Sequence, residues 1–286
     1  MKLKKRNIEI YFTLDPSLTF INENNTKVIS SNEDNPLSID VNIQSDGAPS
    51  SASAKITVSN MIKEDIELLT TLNFKPMTYL KNTVAIFAGY DNQIEQIFSG
   101  SIIKGSGRYG VTNFYECEAV SGFWEQKKTL PMLANKGNID ALQLMKQICA
   151  EINYKFVDNI AGKKILTNPV LTGSAIDRLN YIAKATGILL DINNETVTVY
   201  ETGSQKSNTV VLLNAESGMI GYPTFDENGI VVQSYFNPNI KNGALIKVES
   251  EVKNANGIWR VITNNTQLQN YGERFMHIIR GQYVSN

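Results

Sequence analysis

The chain has 286 residues, a mass of 31.8 kDa and a formal net charge of −1, from 27 lysines and arginines against 28 aspartates and glutamates. That length favours two domains, and one or three are also compatible with it. The charge balance excludes a general electrostatic grip on nucleic acid, because proteins that bind polyanions need an excess or a stripe of basic residues.

The N-terminus begins with basic residues, as a signal peptide does, but no apolar segment follows. Asn7, Glu9 and Asp15 interrupt the region where the hydrophobic part of a signal would lie. Apolar residues of 8–12 alternate with polar ones, which predicts a first β-strand. No run of residues approaches the length of a membrane span. We therefore expect a protein without a membrane span that is made and folded in a cytoplasm.

Residues 1 to about 130 are predicted to be mainly β. Residues 37–43 and 54–58 alternate between apolar and polar side chains, as strands with one wet face do. The turn-rich stretch 44–53 between them is either an interface arm or a loose loop. Asn60 is predicted to cap a short helix. Further strands are predicted at 84–88, 94–103 and 114–120.

The hydrophobic period changes to 3.6 residues from Asn138, which we predict to be the N-cap of a helix. A second helix is predicted to begin at Ser174, where Asp177 completes a variant capping box, and to end at Gly187. Two strands, 188–192 and 196–200, then pair with each other. These elements form a compact α+β unit.

The remainder of the chain returns to β structure. Strands are predicted at 209–213, 230–236, 244–252, 257–263 and 274–284. Asn242-Gly243 and Asn256-Gly257 are strong signals for tight turns. The predicted fold class is α+β and mainly β, with an N-terminal β-domain at 1–130, an inserted α+β domain at 131–203 and a C-terminal β-domain at 204–286.

The segment from Gly105 to Gly110 matches a dinucleotide-binding fingerprint letter for letter. That fingerprint requires the glycines to lead into a helix, whose N-terminus receives the pyrophosphate. Here residues 111–120 follow with the alternation of a strand. We therefore predict a hairpin loop and no cofactor.

The residues capable of nucleophilic or metal chemistry are few. His277 is the only histidine and lies in a strand-like run, which favours a structural or surface role. Cys117 and Cys149 are interpreted as two buried thiols of a reducing compartment. One histidine and two cysteines at unrelated positions give no metal-ligand spacing. No catalytic, cofactor-binding or metal-binding residue is assigned.

Paired carboxylates are the one catalytic device that the sequence leaves open, since the two acids can lie anywhere in the chain. The candidates are Asp226-Glu227 in a predicted turn and Glu249 with Glu251 on one face of a predicted strand. Solvated acids are the better interpretation of both pairs. Tyr79, Tyr90 and Tyr109 are not interleaved with basic residues, so a platform for stacking single-stranded nucleic acid is not supported.

Four segments carry a resemblance to a known family. They are Val84–Tyr90, which ends in Gly-Tyr; Ile97–Ile102, with the pattern IFxGxI; Gly229–Gly243, which contains Phe-Asn-Pro and ends in glycine; and Gly257–Val261. In order and spacing, these segments resemble the baseplate hub proteins of contractile-tailed bacteriophages, including the Mu-like branch. The physical character of the motifs agrees, because Asn-Pro turns and strand glycines serve curved sheets.

The resemblance implies two tube-like β-barrel or split-barrel domains per chain, in a homotrimer with a pseudo-sixfold ring. The implied partners are the tail tube protein, the central spike protein and other baseplate proteins, in a virion assembled in the host cytoplasm. No enzymatic activity and no sequence-specific nucleic acid is implied. The alternatives are a tail-associated cell-wall hydrolase that uses Glu249 or Glu251, and a carbohydrate- or partner-binding module formed by the inserted domain.

Overall fold

The computed structural model describes residues 5–20, 25–32, 37–47, 50–71, 81–91, 93–193, 195–201, 210–227 and 229–284. Strands dominate these residues, so the prediction of a mainly β protein is confirmed. Tyr79 and residues 48–49 of the predicted arm or loop lie outside the described residues.

The N-terminal part is antiparallel β structure with one short helix. Its elements are β1 (Arg6–Thr13), β2 (Thr26–Ser30), β3 (Ser38–Ser45), β4 (Ser53–Ser59), α1 (Lys63–Leu69), β5 (Thr83–Tyr90), β6 (Gln93–Arg108) and β7 (Phe114–Val120). Ile39, Val41 and Ile43 of β3 are buried while their neighbours are more exposed, as the alternation predicts.

The middle of the chain contains most of the helical residues. Its elements are α2 (Phe123–Lys127), β8 (Leu133–Ala134), β9 (Asn138–Asp140), α3 (Ala141–Glu151), β10 (Lys155–Asn159), β11 (Ile165–Thr167), β12 (Val170–Leu171), α4 (Ala175–Thr186), β13 (Ile188–Asn193) and β14 (Thr196–Glu201). The strands β10, β14 and β13 form a small sheet, in which β10 runs parallel to β14. The mixed α and β character predicted for this region is therefore present.

Helix caps were predicted correctly in one of three cases. Ser174 caps α4: its hydroxyl accepts from the Asp177 backbone at 3.1 Å, and Gly187 ends the helix at φ +68°. The cap of α3 is Asp140, because Asn138 is paired with Thr167 in a strand. Asn60 caps nothing, since it lies in a left-handed turn and donates its backbone N–H to the Asn113 carbonyl oxygen.

The C-terminal part is again antiparallel apart from one strand pair. Its elements are β15 (Val210–Leu213), β16 (Met219–Asp226), β17 (Gly229–Tyr235), β18 (Leu245–Val248), a short 3-10 helix (Lys253–Ala255), β19 (Gly257–Gln269) and β20 (Phe275–Tyr283). The strand predicted at 244–252 is shorter than expected, because the chain turns after Val248 and Asn256 binds the Ser250 backbone N–H at 2.6 Å. In contrast, β19 extends six residues beyond Thr263.

One pairing joins the two ends of the chain. Strand β19 lies antiparallel to β3, with Thr266 opposite Ile43 and Leu268 opposite Val41. Among the described residues this pairing completes a 13-stranded sheet in the order β16-β17-β20-β19-β3-β4-β7-β6-β5-β1-β2, with β18 and β15 branching from β19. The extra length of β19 beyond the prediction is therefore the part that reaches the N-terminal strands.

Buried apolar side chains form three clusters. One lies within the N-terminal strands and also takes Phe236, Leu268 and Phe275 from the C-terminal part. The second lies between α3, α4 and the small sheet, and the third lies among β15–β20. Each part of the chain thus has a core of its own, while the first core is completed by residues from the other end of the sequence.

Candidate functional site

The two cysteines are buried in different cores. Cys117 lies on β7 and Cys149 on α3, and both are free thiols. Burial raises the pKa of each thiol to about 12. Because the thiolate is the nucleophilic form, neither residue is suited to nucleophilic chemistry at neutral pH.

His277 is buried on β20, where it holds a turn in place. Its Nε2 lies 3.1 Å from both the backbone nitrogen and the carbonyl oxygen of Asn237, and Nδ1 shares a hydrogen bond with Thr266 Oγ1 at 2.9 Å. Its ring stacks on Phe236 at 5.1 Å between centroids. Burial lowers the pKa of His277 to about 4. The histidine therefore acts as a neutral clamp on the Asn237-Pro238 turn of the resemblance motif.

The candidate carboxylates are held at the surface by other side chains. Asp226 forms an ion pair with Arg280 at 3.4 Å, and Glu249 pairs with Lys247 at 2.7 Å, which lowers the pKa of Glu249. Glu251 accepts a hydrogen bond from the Tyr222 hydroxyl at 3.1 Å. Glu249 and Glu251 were predicted on one strand face, and this was wrong because both follow the end of β18.

The glycine motif is mostly strand. Residues Gly105 to Arg108 belong to β6, so only the end of the motif lies in the hairpin turn, and strand β7 follows as predicted. A Cβ on Gly105 would lie 2.6 Å from the carbonyl oxygen of Leu69, the last residue of α1. These glycines therefore allow α1 to approach β6, which accounts for the motif without a ligand.

No group of three or more His, Cys, Asp or Glu side chains within the described ranges is arranged to hold a metal ion. No described helix has the length and apolar character needed to cross a membrane. Tyr90 packs on Phe275 at 5.3 Å, whereas Tyr109 is half exposed at the β6–β7 hairpin.

A cavity of about 260 Å³ lies where the three parts of the chain meet. The N-terminal part contributes Gln96 and Ile97 to its lining, and the middle part contributes Asp191 and Thr198. The C-terminal part contributes Asn242 and His277. Its lining mixes polar and apolar side chains, and no group of the described residues in it forms a site for a particular ligand.

An ordered polar face of the main sheet lies at the β3–β19 junction. We call it the amide face, and it consists of Asp40, Asn42 and Gln44 of β3 with Asn265, Gln267 and Gln269 of β19. These residues lie directly opposite one another in three cross-strand pairs. Asn265 Nδ2 donates to Asn42 at 2.7 Å and to Gln44 at 2.8 Å, and Gln269 donates to Asp40 at 2.6 Å. Neutral amides thus satisfy one another across the junction.

The amide face continues across neighbouring strands with balanced charge. In register, Asn42 faces Lys55 of β4, which faces Glu118 of β7, which pairs with Lys104 of β6 at 4.0 Å. At the other end, Arg274 pairs with Asp40 at 3.4 Å. The alternation of β3 predicted a wet face, but the pairing with β19 could not be predicted, because the partners are more than 220 residues apart.

Comparison with models of protein families identifies the family of this chain. A model of the family described as baseplate hub gp41 matches residues 17–281. The chain belongs to this baseplate hub family. It is therefore a structural component of a phage tail baseplate, and the resemblance stated from the sequence motifs is confirmed. No curated protein sequence matches the chain.

Solved structures share the hub protein's fold at low sequence identity. A 43 kDa tail protein of prophage MuSo2 from Shewanella oneidensis is 10% identical with a TM-score of 0.64, over 96% of each chain. A tail protein from Neisseria meningitidis is 10% identical with a TM-score of 0.61, over 86% of this chain and 96% of its own. A type VI secretion component of E. coli, described as similar in structure to the T4 tail proteins gp27 and gp5, is 12% identical with a TM-score of 0.60, over 88% and 75%.

Proposed function

We propose that the hub protein forms a homotrimeric ring that connects the tail tube to the central spike of the baseplate. The membership of the baseplate hub family supports this proposal, and so does the fold shared with a protein described as similar to the T4 tail proteins gp27 and gp5. The role is mechanical and not enzymatic. The partners are two other copies of the chain, the tail tube protein, the spike and further baseplate proteins, in a virion assembled in the host cytoplasm.

The division into domains at 1–130, 131–203 and 204–286 belongs to the same proposal. Three clusters of buried apolar residues support it: one is confined to the middle part, one to the C-terminal part, and one lies mainly in the N-terminal part with three residues from the C-terminal part. The two β-rich parts would be the tube-like barrels that alternate around the ring. Their direct pairing through β3 and β19 gives them one continuous sheet.

The observation that carries the proposal is the amide face with its balanced extension over β4, β7 and β6. A channel that passes DNA or a spike must be wet, and it must not hold a polyanion by its charge. Here ion pairs and amides that hydrogen-bond one another give a polar surface without an excess of positive or negative charge. We assign this face to the lumen of the ring.

The oligomeric mass tests the proposal. Three chains of 31.8 kDa give about 95 kDa, a closed cyclic assembly being the expected form for a single repeated subunit. Mass photometry of the purified protein should show a species of that mass, and its fraction of the particles should increase with protein concentration. A monomer at every concentration would contradict the homotrimer.

A further inference from the structure

The middle of the chain carries a two-stranded ribbon on its surface. It consists of two short antiparallel strand pairs, β8 with β12 and β9 with β11, and an isolated bridge between Thr129 and Ser174 precedes them. Backbone hydrogen bonds from Asn135 to Pro169 and from Asn168 to Gly137 connect the two pairs. Arg178 of α4 fastens it from below by donating to the carbonyl oxygens of Leu130 and Pro131 at 2.8 and 2.5 Å. The ribbon is therefore held to α4 by side-chain hydrogen bonds as well as by its own strand pairing.

The outward side of this ribbon is apolar and its surroundings are basic. Met132, Ile165 and Val170 are 68%, 61% and 54% exposed, whereas the inward Leu166 and Leu171 are buried. Residues 127–140 and 161–174 contain five lysines and one aspartate in a chain whose total charge is −1, and one of these lysines, Lys164, pairs with Glu201 at 2.8 Å. Lys128, Lys136 and Lys163 have no ion-pair partner among the described residues. We call this surface the basic ribbon.

The outer strand of the main sheet has the opposite character. Tyr222 and Phe225 of β16 are 64% and 51% exposed. Residues 214–227 contain three acidic residues and no lysine or arginine. Asp226 pairs with Arg280, which leaves Glu216 and Glu227, and Glu251 lies against Tyr222. Glu216 and Glu227 are exposed at the two ends of this strand. We call this surface the acidic edge, and β16 is the terminal strand of the sheet order.

We infer that the basic ribbon of one copy of the chain binds the acidic edge of a second copy. Each surface combines exposed large apolar side chains with charge of one sign, and the two signs are complementary. Self-pairing of either surface would place like charges together, so a twofold contact is disfavoured. A contact between two different surfaces is heterologous, which is the kind of contact that a closed ring of three identical subunits requires. Proline at 223 interrupts the donors of β16, which favours docking by side chains over addition of a strand.

This inference rests on the proposed homotrimer, and charge reversal in the full-length protein tests it. One variant carries Lys136→Glu and Lys163→Glu, and the other carries Glu216→Lys and Glu227→Lys. All four residues are exposed, so each variant should keep the wild-type fold, checked by its circular dichroism spectrum. We expect each variant alone to shift from trimer to monomer in mass photometry at a concentration where the wild type is trimeric. An equimolar mixture of the two should form mixed species, because both contacts between unlike variants pair opposite charges. The mixture should still contain fewer trimers than the wild type, because a ring of three must include one contact between like variants. The protein that combines all four changes should regain the trimer.

The control is Lys146→Glu with Lys184→Glu, which reverses two charges on exposed positions of α3 and α4 and should remain trimeric. Trimers that survive both test variants unchanged would overturn the contact and leave the ring intact. A wild-type protein that is monomeric throughout would overturn the contact together with the proposed homotrimer. Loss of the trimer without recovery in the fourfold variant would also overturn the pairing of these two surfaces.

Discussion

His277 shows how the few reactive residues of this chain are used. The neutral ring joins the Asn237 turn to Thr266, and burial lowers its pKa to about 4 from the usual 6.5. Between these two values the unfolded chain binds more protons than the folded one. The stabilisation of the folded state by the neutral His277 is therefore complete above pH 6.5 and is lost as the pH falls towards 4. We expect the free energy of unfolding, measured by urea titration, to fall by about 3 kcal/mol across this window.

The variant His277→Gln provides the comparison for this titration. It lacks the imidazole, so its free energy of unfolding should change less between pH 6.5 and pH 4 than that of the wild type. Carboxylates such as Glu249 titrate in both proteins and cancel in the difference. Equal slopes in the two proteins would show that His277 does not keep a lowered pKa.

The role of a single residue at a helix end could be predicted only where one residue in the segment was suited to that role. Ser174, Asp177 and Gly187 provide a complete capping pattern, and the structure realises it. Asn138 and Asp140 are both good caps, and the choice between them depends on the strand pairing of Asn138 with Thr167. The sequence alone does not identify Thr167 as the partner of Asn138, because α3 and β10 separate β11 from β9 along the chain.

At the scale of elements, the contact between α1 and β6 requires glycine. A Cβ at residue 105 would lie 2.6 Å from both the Leu69 carbonyl oxygen and the Tyr115 hydroxyl. Gly105→Ala should lower the free energy of unfolding by about 2 kcal/mol, because the helix must move away from the strand. Gly110→Ala in the same motif is the matched control, since its nearest neighbour would be 3.9 Å away. Similar losses in a denaturation assay would refute the packing role of Gly105.

The ribbon depends on a buried arginine in a comparable way. The Arg178 guanidinium, 2% exposed, supplies hydrogen bonds to two consecutive carbonyl groups of the segment before β8. Arg178→Ala should cost about 3 kcal/mol of stability in thermal or urea unfolding, because charge-assisted hydrogen bonds and packing are both lost. Lys184→Ala on the exposed side of the same helix should cost much less. A loss no larger than that of this control would contradict the anchoring role.

Element types were predicted well and element ends poorly. The segment from Gly105 was expected to be a hairpin loop because glycines usually mark turns, but tertiary contact with α1 favours them within β6. The length of β19 was underestimated for a related reason. Its second half, which contains Asn264 and Asn265, has low strand propensity and is stabilised by pairing with β3 and β20.

At the scale of the whole molecule, the amide face predicts how the protein treats DNA. Because its charges are balanced, the wild type should not retain a DNA duplex at about 150 mM salt. Asn42→Lys, Gln44→Lys and Gln267→Lys together add three positive charges to this face in each chain. We expect this variant to bind DNA with a strong dependence on salt, measured by fluorescence anisotropy.

A second triple variant separates placement from total charge. Gln143→Lys, Gln147→Lys and Ala150→Lys add the same charge to the exposed side of α3. Binding as tight as that of the amide-face variant would show that position does not matter. DNA binding by the wild type at the same salt would contradict the view of the amide face as a surface that does not hold a polyanion.

The overall plan of β, α+β and β regions could be predicted from periodicity, but the joining of the two ends could not. The hydrogen bonds between Asn265 and its partners on β3 span more than 220 residues, and no local pattern encodes such a pairing. The amide face exists only once β3 and β19 lie side by side. The candidate functional surface was therefore beyond sequence reasoning, although the polar positions of each strand were visible.

Electron microscopy of the purified full-length protein tests the central claim most directly. Class averages should show a ring with threefold symmetry and a central channel, because a homotrimer built from heterologous contacts closes around a threefold axis. The amide face would then line that channel. Particles that are single chains, twofold dimers or open filaments at all concentrations would contradict the account of this hub protein as a trimeric ring.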